Sequence, residues 1–451
     1  MSLFTAVGAS ADALENFQRA LETIQNNVSN ASTPGFARQT QLFTADPFDP
    51  EHGLAGGSSL GARQSARDEL AEAGVRRQAS LEGRFGQLSA TLERVEPLFD
   101  ATGQTGLPQA LGRLFDSFSS WSINPNDASS RQQVLDRAVQ LARSFQGQSQ
   151  ALRSAEAGER RQIPGQVERI NQLTGLIRDH NLHVRDNAGA GSDPGVDAQV
   201  HSQLEELSQW ADIQALRQND GSFTVLLGGQ TPLVIGNRQY ALQADLSAIP
   251  ARVLDAQGAD VTAHIGGGRL AGTLQAANVT LPRFIADLDT LAQGVADAVN
   301  QTLAAGIDST GQPGTALFTY NQPSDAAATI AVAAITPGQL AAAHPASPGG
   351  NGNALDLAAL ARSVQINGYT FTGFYGQLSA AVGSELASAR DSRDSHLELL
   401  AQARELRAQT QGVSLNEEAA RLIEFQRAYQ AAAKMVTTLD ELTRATIEMI
   451  R

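Results

Sequence analysis

Two histidines have the best spacing for metal binding in this sequence. His180 and His183 lie three residues apart, which places them on one face of a helix, and His201 follows on a later helical stretch. No carboxylate pattern typical of a zinc or iron site accompanies them. We therefore interpret these histidines as solvated residues of helix faces and predict no metal.

Acidic pairs and glycine-rich runs offer no better case for catalysis. Glu417 and Glu418 are adjacent, as are Asp440 and Glu441, and neighbouring side chains of a helix point in different directions. We interpret both pairs as solvated. The phosphate-binding loop, the nucleophile elbow and the HExxH motif are missing from the sequence. The glycine-rich run 266–272 lacks the dinucleotide-binding spacing and is predicted to form a hairpin turn. We predict no enzyme and no cofactor.

Composition excludes further classes of function. The chain has 451 residues, 42% of them apolar, which is enough for two to four domains with true cores. Its net charge is −14 and Lys434 is the only lysine, so we predict no nucleic-acid partner. It has no cysteine and no run of 18 apolar residues, so we predict neither disulfides nor a membrane span. The first residues lack the basic and apolar regions of a Sec signal peptide, which favours another export route if the protein is secreted.

Apolar side chains recur at steps of three and four residues near both ends of the chain. The N-terminal seam consists of Leu14, Phe17, Leu21, Ile24 and Val28, and the C-terminal seam of Leu415, Leu422, Phe425, Tyr429, Ala432, Val436 and Leu439. Such stripes also occur in ordinary cores, but two narrow seams at opposite ends favour terminal helices that pair with each other or with neighbouring copies. A lone helix pair is marginal. We therefore expect mobile ends in the isolated chain and ordered ends among several copies.

The intervening sequence predicts a fold that is mainly α with a small β insert: a coiled-coil-like terminal pair, a long-helix bundle body and a short β-rich subdomain. The expected segments are 1–45 and 411–451 (the two halves of the terminal coiled-coil domain), 46–212, 275–320 and 354–410 (three parts of the helical body), 213–274 (the β-rich insert) and 321–353 (a loop or reduced outer domain). Residues 46–61 are expected to form a loop and 63–100 a helix. Strands are expected at 261–265 and 329–333, and Pro164 is expected to start or kink a helix.

Both ends resemble bacterial flagellar axial proteins. Residues 27–39 carry what we call the axial motif, and the resemblance lies in Asn30, Thr33, Pro34, Gly35, Phe36, Arg38 and Gln39. Arg38 and Gln39 favour the hook-associated protein 1 family over rod and hook proteins. Residues 412–436 resemble the C-terminal helix of the same family, and the resemblance is weaker in the middle of the chain. Phe36 replaces the usual tyrosine, and residues 321–353 are short where many relatives carry a large outer domain.

The resemblance implies a structural protein at the junction between the flagellar hook and filament. Such a protein is exported unfolded through the flagellar type III apparatus and lies outside the cell. The implied partners are further copies in a ring, the hook protein, a second junction protein on the filament side, and a cytosolic export chaperone that covers Leu422, Phe425 and Tyr429 on the C-terminal helix.

Three alternatives stay open at this stage: a hook or distal rod protein, an extracellular binding module whose 213–274 insert holds a ligand, and an enzyme with a cryptic site. The long helical stretch 63–210 argues against the first, because hook and rod proteins resembling this chain are mainly β outside their terminal helices.

Overall fold

Long helices dominate the computed structural model, which describes residues 3–49, 54–100, 106–187 and 189–450. The prediction of a mainly α fold with a small β component is confirmed. The α-helices of the described residues are α1 (Leu3–Ser29), α2 (Glu69–Val95), α3 (Gly106–Ile123), α4 (Ala128–Asp186), α5 (Pro194–Trp210), α6 (Gly268–Gln275), α7 (Leu281–Ala305), α8 (Ala326–Thr329), α9 (Gly352–Ala359), α10 (Phe371–Gln411) and α11 (Leu415–Ile450).

The strands of the described residues are short, and their pairs are antiparallel. They are β1 (Gln39–Ala45), β2 (Phe48–Asp49), β3 (Leu54–Ala55), β4 (Ser58–Ser65), β5 (Ile213–Arg217), β6 (Phe223–Leu227), β7 (Thr231–Ile235), β8 (Arg238–Gln239), β9 (Gln243–Asp245), β10 (Arg252–Leu254), β11 (Phe318–Thr319) and β12 (Ala331–Val332). Strands β5–β6–β7–β8 form one four-stranded sheet in that order, and the other strands form two-stranded pairs.

Two compact units divide the chain. Unit 1 comprises Met1–Ser80, Arg169–Ala241 and His396–Arg451, and unit 2 comprises Leu81–Glu168 and Leu242–Ser395. Helices α2, α4 and α10 each contribute residues to both units. The segment expected as one β-rich insert is therefore divided: its four-stranded sheet belongs to unit 1, and the β9–β10 hairpin belongs to unit 2.

Unit 2 has a large apolar core built from α3, α7, α9 and the adjoining parts of α2, α4 and α10. Trp121, Phe118, Phe145 and Phe284 are fully buried there.

In unit 1, Asn181 of α4 connects this helix to the four-stranded sheet by hydrogen bonds. Its amide nitrogen donates to the carbonyls of Phe223 and Gly236, at 2.8 and 2.7 Å, and its oxygen accepts the Phe223 N–H.

The segment after the axial motif differs from the prediction. Residues 46–61 are expected to form a loop, and 50–53 lie outside the described residues. In the described part, β2, β3 and part of β4 lie there, and β4 pairs with β1 from Gln39↔Ser65 to Ala45↔Ser58. The helix expected from residue 63 begins at Glu69, where Asp68 Oδ1 accepts the N–H groups of Leu70 and Ala71. A glycine-rich sequence thus forms a strand because a partner strand supplies its hydrogen bonds.

Two further predictions near the β9–β10 hairpin are wrong. Residues Thr262–His264 form a 3₁₀ turn and no strand, because Asp260 Oδ1 accepts both the N–H and the O–H of Thr262. The glycine-rich run 266–272 opens helix α6 at Gly268 and forms no hairpin turn.

Three more boundaries shift elsewhere. Helix α4 spans 59 residues and continues through Pro164, which therefore starts no helix. The strand expected at 329–333 shrinks to Ala331–Val332, since Thr329 ends α8. The third part of the helical body, expected over 354–410, is interrupted between α9 and α10, where Asn367 and Gly368 both have positive φ. Among the described residues, none of the helices combines the length and the apolar character needed to cross a membrane.

Candidate functional site

Helices α1 and α11 pack along each other in unit 1. Phe17 of α1 lies near Phe425 of α11, and Asn27 near Glu418, so the helices run antiparallel. The pair leaves its seams unevenly covered. Ile24 and Ala432 are buried; Leu14, Phe17, Leu21, Leu422, Phe425, Val436 and Leu439 are half-buried; Val28, Leu415 and Tyr429 are exposed. One helix pair thus shelters only part of the apolar surface that the seams present.

Three aromatic rings join this pair to strand β1. The ring of Phe43 stacks on that of Phe425, with centroids 5.8 Å apart and planes at 19°. Phe17 lies 6.4 Å from Phe43 and 6.2 Å from Phe425 in tilted arrangements. Aromatic contacts at these distances stabilise beyond the area that they bury. Phe43 was not among the predicted seam residues, because it lies on a strand and has no place in a helical repeat.

A buried hydrogen-bond group lies beside the aromatic rings. Asn27 Nδ2 donates to Gln39 O at 2.8 Å and to Glu418 Oε2 at 3.0 Å, while Asn27 Oδ1 accepts the Gln39 N–H at 2.9 Å. Arg38 contacts both acids, with its NH1 2.9 Å from Glu417 Oε2 and its Nε 3.4 Å from Glu418 Oε1. Through Arg38 and Gln39, the axial motif holds the start of α11.

The interpretation of both acids as solvated is wrong for Glu418. Its side chain is 1% exposed, whereas that of Glu417 is 60% exposed. Adjacent residues do point apart on the helix, but the first turn of α11 directs Glu418 towards Asn27. Sequence spacing alone does not show on which side another chain segment lies.

The turn of the axial motif is held by local hydrogen bonds. Asn30 Nδ2 donates to Asn26 O at 3.0 Å, and Thr33 Oγ1 donates to Asn30 Oδ1 at 3.2 Å. Pro34 is exposed and Phe36 is buried. Gly35 has φ +76°, and a Cβ at this position would run into the carbonyl oxygen of Ala198 on α5. Only glycine satisfies both the backbone conformation and this close approach.

Arg67 connects the same turn to the body of unit 1. Its NH2 donates to Gly35 O at 2.6 Å, its Nε to Asp197 Oδ2 at 2.7 Å and its NH1 to Glu72 Oε1 at 2.6 Å. The Arg67 side chain is 2% exposed, so these bonds lie away from water. A buried guanidinium with three acceptors fixes its neighbours in position, and loss of one partner would leave an uncompensated charge.

Glu72 extends this contact to the end of α10. Gln411 Nε2 donates to Glu72 Oε1 at 2.6 Å, and Arg407 NH1 lies 3.2 Å from Glu72 Oε2. The carbonyl of Gln411 in turn accepts the Arg38 N–H at 2.9 Å. The axial motif and the link between α10 and α11 are therefore held by one set of charged side chains. Sequence reasoning missed this set, because its members come from separate parts of the chain.

Burial and neighbouring positive charges shift the pKa values of the carboxyl groups in this set in opposite directions. Glu205 of α5 belongs to this set, because its Oε2 lies 2.6 Å from Arg407 NH1. Burial favours a raised pKa for the Glu205 carboxyl, but hydrogen bonds and charge from Arg407 and Arg404 outweigh it and lower that pKa. For Glu69 burial prevails over the nearby Arg76, Arg217 and Arg67, and its pKa is raised.

The histidines with metal-like spacing have different surroundings. The interpretation of all three as solvated is wrong for His201, which is buried among the charged side chains because α5 packs on α2 and the four-stranded sheet there. His180 Nε2 lies 3.3 Å from Gly221 O, and exposed His183 contacts Asn187. The described residues contain no group of three or more histidine, aspartate or glutamate side chains arranged to hold a metal ion.

Three family models match the sequence. The model described as "Flagellar hook-associated protein FlgK helical domain" matches residues 92–318. The model of the C-terminal part of the flagellar basal body rod proteins FlgEFG matches residues 408–449, and that of the flagellar basal body rod protein matches residues 9–36. The two terminal matches thus cover most of the paired helices and most of the axial motif.

Whole proteins resemble the chain over most of its length. The flagellar hook-associated protein 1 of Bacillus subtilis is 25% identical, in an alignment that covers 98% of this chain and 97% of that protein. Its namesake in Salmonella typhimurium is 26% identical over 68% of this chain, and the match spans 58% of that protein. The solved structure of the flagellar hook junction protein FlgK from Burkholderia pseudomallei has a TM-score of 0.66 at 17% identity, covering 75% of this chain and 99% of that one. This last likeness concerns the fold.

Proposed function

The chain belongs to the family of the flagellar hook-associated protein FlgK, and from this premise we propose that it is the structural subunit of the junction between hook and filament. Membership places the chain among flagellar structural proteins. The proposed subunit is non-enzymatic, requires no cofactor and acts outside the cell. It assembles through the paired helices α1 and α11 after export by the type III apparatus.

A second apolar stripe on α11 carries this proposal. Met435, Leu442 and Met449 recur at intervals of seven residues and are 58%, 51% and 80% exposed. They lie about a quarter turn from the C-terminal seam, at 100° per residue. We call them the outer stripe. A helix with apolar stripes on two sides fits two neighbours, and α1 is only one of them.

We propose that other copies of the chain pack against the outer stripe. Residues 1–45 carry three acids and two bases, and residues 411–451 carry six acids and five bases, so each end has a net charge of −1. Nearly neutral ends repel one another little, although the whole chain carries −14. Copies can therefore pack their terminal helices densely in a ring. The hook protein and a second junction protein would contact the two sides of this ring.

Before export, a cytosolic chaperone would bind the C-terminal helix. The half-buried Leu422 and Phe425 and the exposed Tyr429 lie on one face of α11. A chaperone groove that accepts this face would displace α1 and keep the seam from premature assembly. The same seam would thus bind the chaperone before export and pack against other terminal helices in the assembled ring.

The test replaces two seam residues by aspartate. Leu422→Asp with Val436→Asp places two charges in the α1–α11 contact, and we expect unit 2 to stay folded while junction assembly and swimming are lost. The matched control is Gln430→Asp with Thr437→Asp, which adds the same charge at exposed positions away from the seam. Normal swimming and filament attachment in the seam variant would refute the proposal.

A hook or distal rod protein is the second candidate. The matches at residues 9–36 and 408–449 to rod-protein models support it. The match of the FlgK helical domain to residues 92–318 favours the junction protein, since it adds a body to the shared terminal helices. A deletion strain separates the two candidates: loss of the junction protein leaves hooks without attached filaments, whereas loss of a hook or rod protein leaves no complete hook.

A further inference from the structure

We propose that His201 and the charged side chains around it form an acid-sensitive latch, which holds the axial motif and the end of α10 against α2 and α5. The latch acts within one copy of unit 1. It goes beyond the proposed role in assembly and does not depend on it.

His201 lies at the centre of this latch with its side chain fully buried. Its Nε2 is 3.7 Å from Glu69 Oε1 and 3.8 Å from Asp197 Oδ1, and its Nδ1 is 3.9 Å from Glu72 Oε2. Neither ring nitrogen makes a hydrogen bond to any residue that the structure describes, and neither does Glu69 Oε1. The imidazole therefore lies between three carboxylates without a hydrogen bond to any of them.

A neutral imidazole can donate a hydrogen bond from only one of its two nitrogens. It carries one N–H, so whichever nitrogen donates, the lone pair of the other faces a carboxylate oxygen. A second proton would give the ring two donors, but arginines already neutralise the carboxylates: Arg67 binds Glu72 and Asp197, and Arg217 NH2 lies 3.1 Å from Asp197 Oδ1. An added proton would thus put an excess positive charge into a closed site.

The groups that face His201 come from every element packed against it. They are Glu69, Glu72 and Arg76 of α2, Arg67 just before α2, Asp197 of α5 itself, Arg217 of β5, His180 of α4 and the ring of Phe223 on β6, which meets the imidazole edge-on at 5.3 Å. Burial, followed by the charges of Arg67, Arg76 and Arg217, holds the pKa of His201 well below its usual value of 6.5.

Arg67, Glu72 and the part of α5 around His201 also contact the axial motif and the end of α10. Gly35 of the axial motif packs on α5 at Ala198 and Ser202, on either side of His201 in the sequence, and its carbonyl accepts from Arg67. Glu72 accepts from Gln411 at the end of α10. A proton that enters this site would therefore weaken the contacts that keep the axial motif and the α10–α11 link in place.

The sign of the pH effect follows from linkage. Because the pKa of buried His201 is below 6.5, opening of the latch lets the ring take up a proton at mildly acid pH. The closed form keeps the full contribution of His201 above pH 6.5 and loses it as the pH falls through this value. Between pH 7.5 and 5.5 the opening constant rises up to about tenfold from this residue alone.

Glu69 acts in the opposite direction. Burial raises its pKa in the closed form, so the closed latch binds a proton there before the open form does. This contribution stabilises the closed form as the pH falls and partly offsets the effect of His201. We therefore expect Glu69→Gln to make the latch more sensitive to acid, and His201→Gln to make it less sensitive.

Hydrogen exchange on the isolated full-length chain tests the latch. Protection of backbone amides in residues 35–39 and 411–418 is measured at pH 7.5 and 5.5, each corrected for the intrinsic exchange rate. We expect the wild type to lose several-fold more protection at pH 5.5 than His201→Gln. His183→Gln, which changes an exposed histidine of the same unit, keeps the wild-type response. Equal losses in the wild type and in His201→Gln would overturn the proposal, whatever the motility of the strains.

A second measurement needs no variant, in case His201→Gln does not fold. Nuclear magnetic resonance of labelled histidine rings follows the titration of all seven histidines in the wild-type chain. Burial lowers the pKa of both His180 and His201, and we expect the fully buried ring of His201 to take up its proton last as the pH falls, well below the usual histidine pKa of 6.5. Seven rings that all titrate near or above pH 6.5 would equally overturn the latch.

Discussion

Asn27 of α1 donates a hydrogen bond to Glu418 of α11, with 3.0 Å between Nδ2 and Oε2, although 391 residues separate them. The same amide group also makes two hydrogen bonds to the backbone of Gln39 in the axial motif. One buried side chain thus joins the first helix, the motif and the last helix. Its central position makes it a sensitive probe of the terminal pair.

Asn27→Ala should destabilise the terminal helix pair by about 2–3 kcal/mol, because it leaves the buried Glu418 carboxylate without its amide donor. The measurement is urea unfolding of the isolated chain, followed by hydrogen exchange in α11. Asn26→Ala is the matched control, since Asn26 is the exposed neighbour on the same helix. A loss of equal size in both variants would contradict a special role for Asn27.

Gly35→Ala should lower the stability of the protein by more than the positive φ of this residue alone explains. Gly189 has φ +90°, and a Cβ added to it would meet no atom of the described residues within 4 Å, so Gly189→Ala measures the backbone penalty, about 1–2 kcal/mol. Gly35→Ala adds the clash with the Ala198 carbonyl, and we expect about 1–3 kcal/mol more. Thermal unfolding of both variants gives the comparison. Equal losses of stability in the two variants would contradict the prediction, because they would show that α5 shifts easily to accommodate the added methyl group.

Phe43 and Phe425 should be energetically coupled. A double-mutant cycle with Phe43→Ala and Phe425→Ala should give a coupling free energy of about 0.5–1.5 kcal/mol, because the rings stack at 5.8 Å. Chemical denaturation of the wild type, both single variants and the double variant supplies the four values. The exposed Phe48 serves as the control partner, and its coupling to Phe425 should be close to zero. Additive losses for Phe43 and Phe425 would mean that their stacking contributes nothing of its own.

Phe425→Ala should also weaken binding of the export chaperone by more than tenfold in Kd, as expected for a central aromatic anchor. Isothermal titration with the purified chaperone measures the change. Ile423→Ala is the control, because Ile423 is 50% exposed and lies off the seam. If both variants bind as the wild type does, the chaperone uses a different surface.

Limited proteolysis of the isolated chain at neutral pH should remove about forty residues from each end before it cuts elsewhere. The reason is that most seam side chains remain half-buried or exposed in a single copy, so local opening of α1 and α11 costs little. Mass spectrometry of the first fragments identifies the cuts. Ends that resist as long as the core of unit 2 would contradict the idea that neighbouring copies complete their burial.

Sequence patterns were reliable where a single element carries the information. The periodicity of α11 predicts a long amphipathic helix, because its repeat is local and its residues favour helix. The run from Asn30 to Gly35 predicts a break, since Pro34 and Gly35 disfavour a continued helix. Patterns were less reliable for β4 and for residues 261–265, where hydrogen bonds to another strand or to Asp260 decide the backbone.

The amino-acid sequence by itself determined the mainly helical fold, the spacing of the seams and the resemblance of the axial motif to flagellar axial proteins, because each follows from spacing along one segment. Only the tertiary structure decided that Glu418 is buried, that Phe43 joins the seam, and that Arg67, Glu72 and His201 meet beneath Gly35. Burial and charge pairing depend on which distant segments come together in space. That information lies in the packing of the chain as a whole.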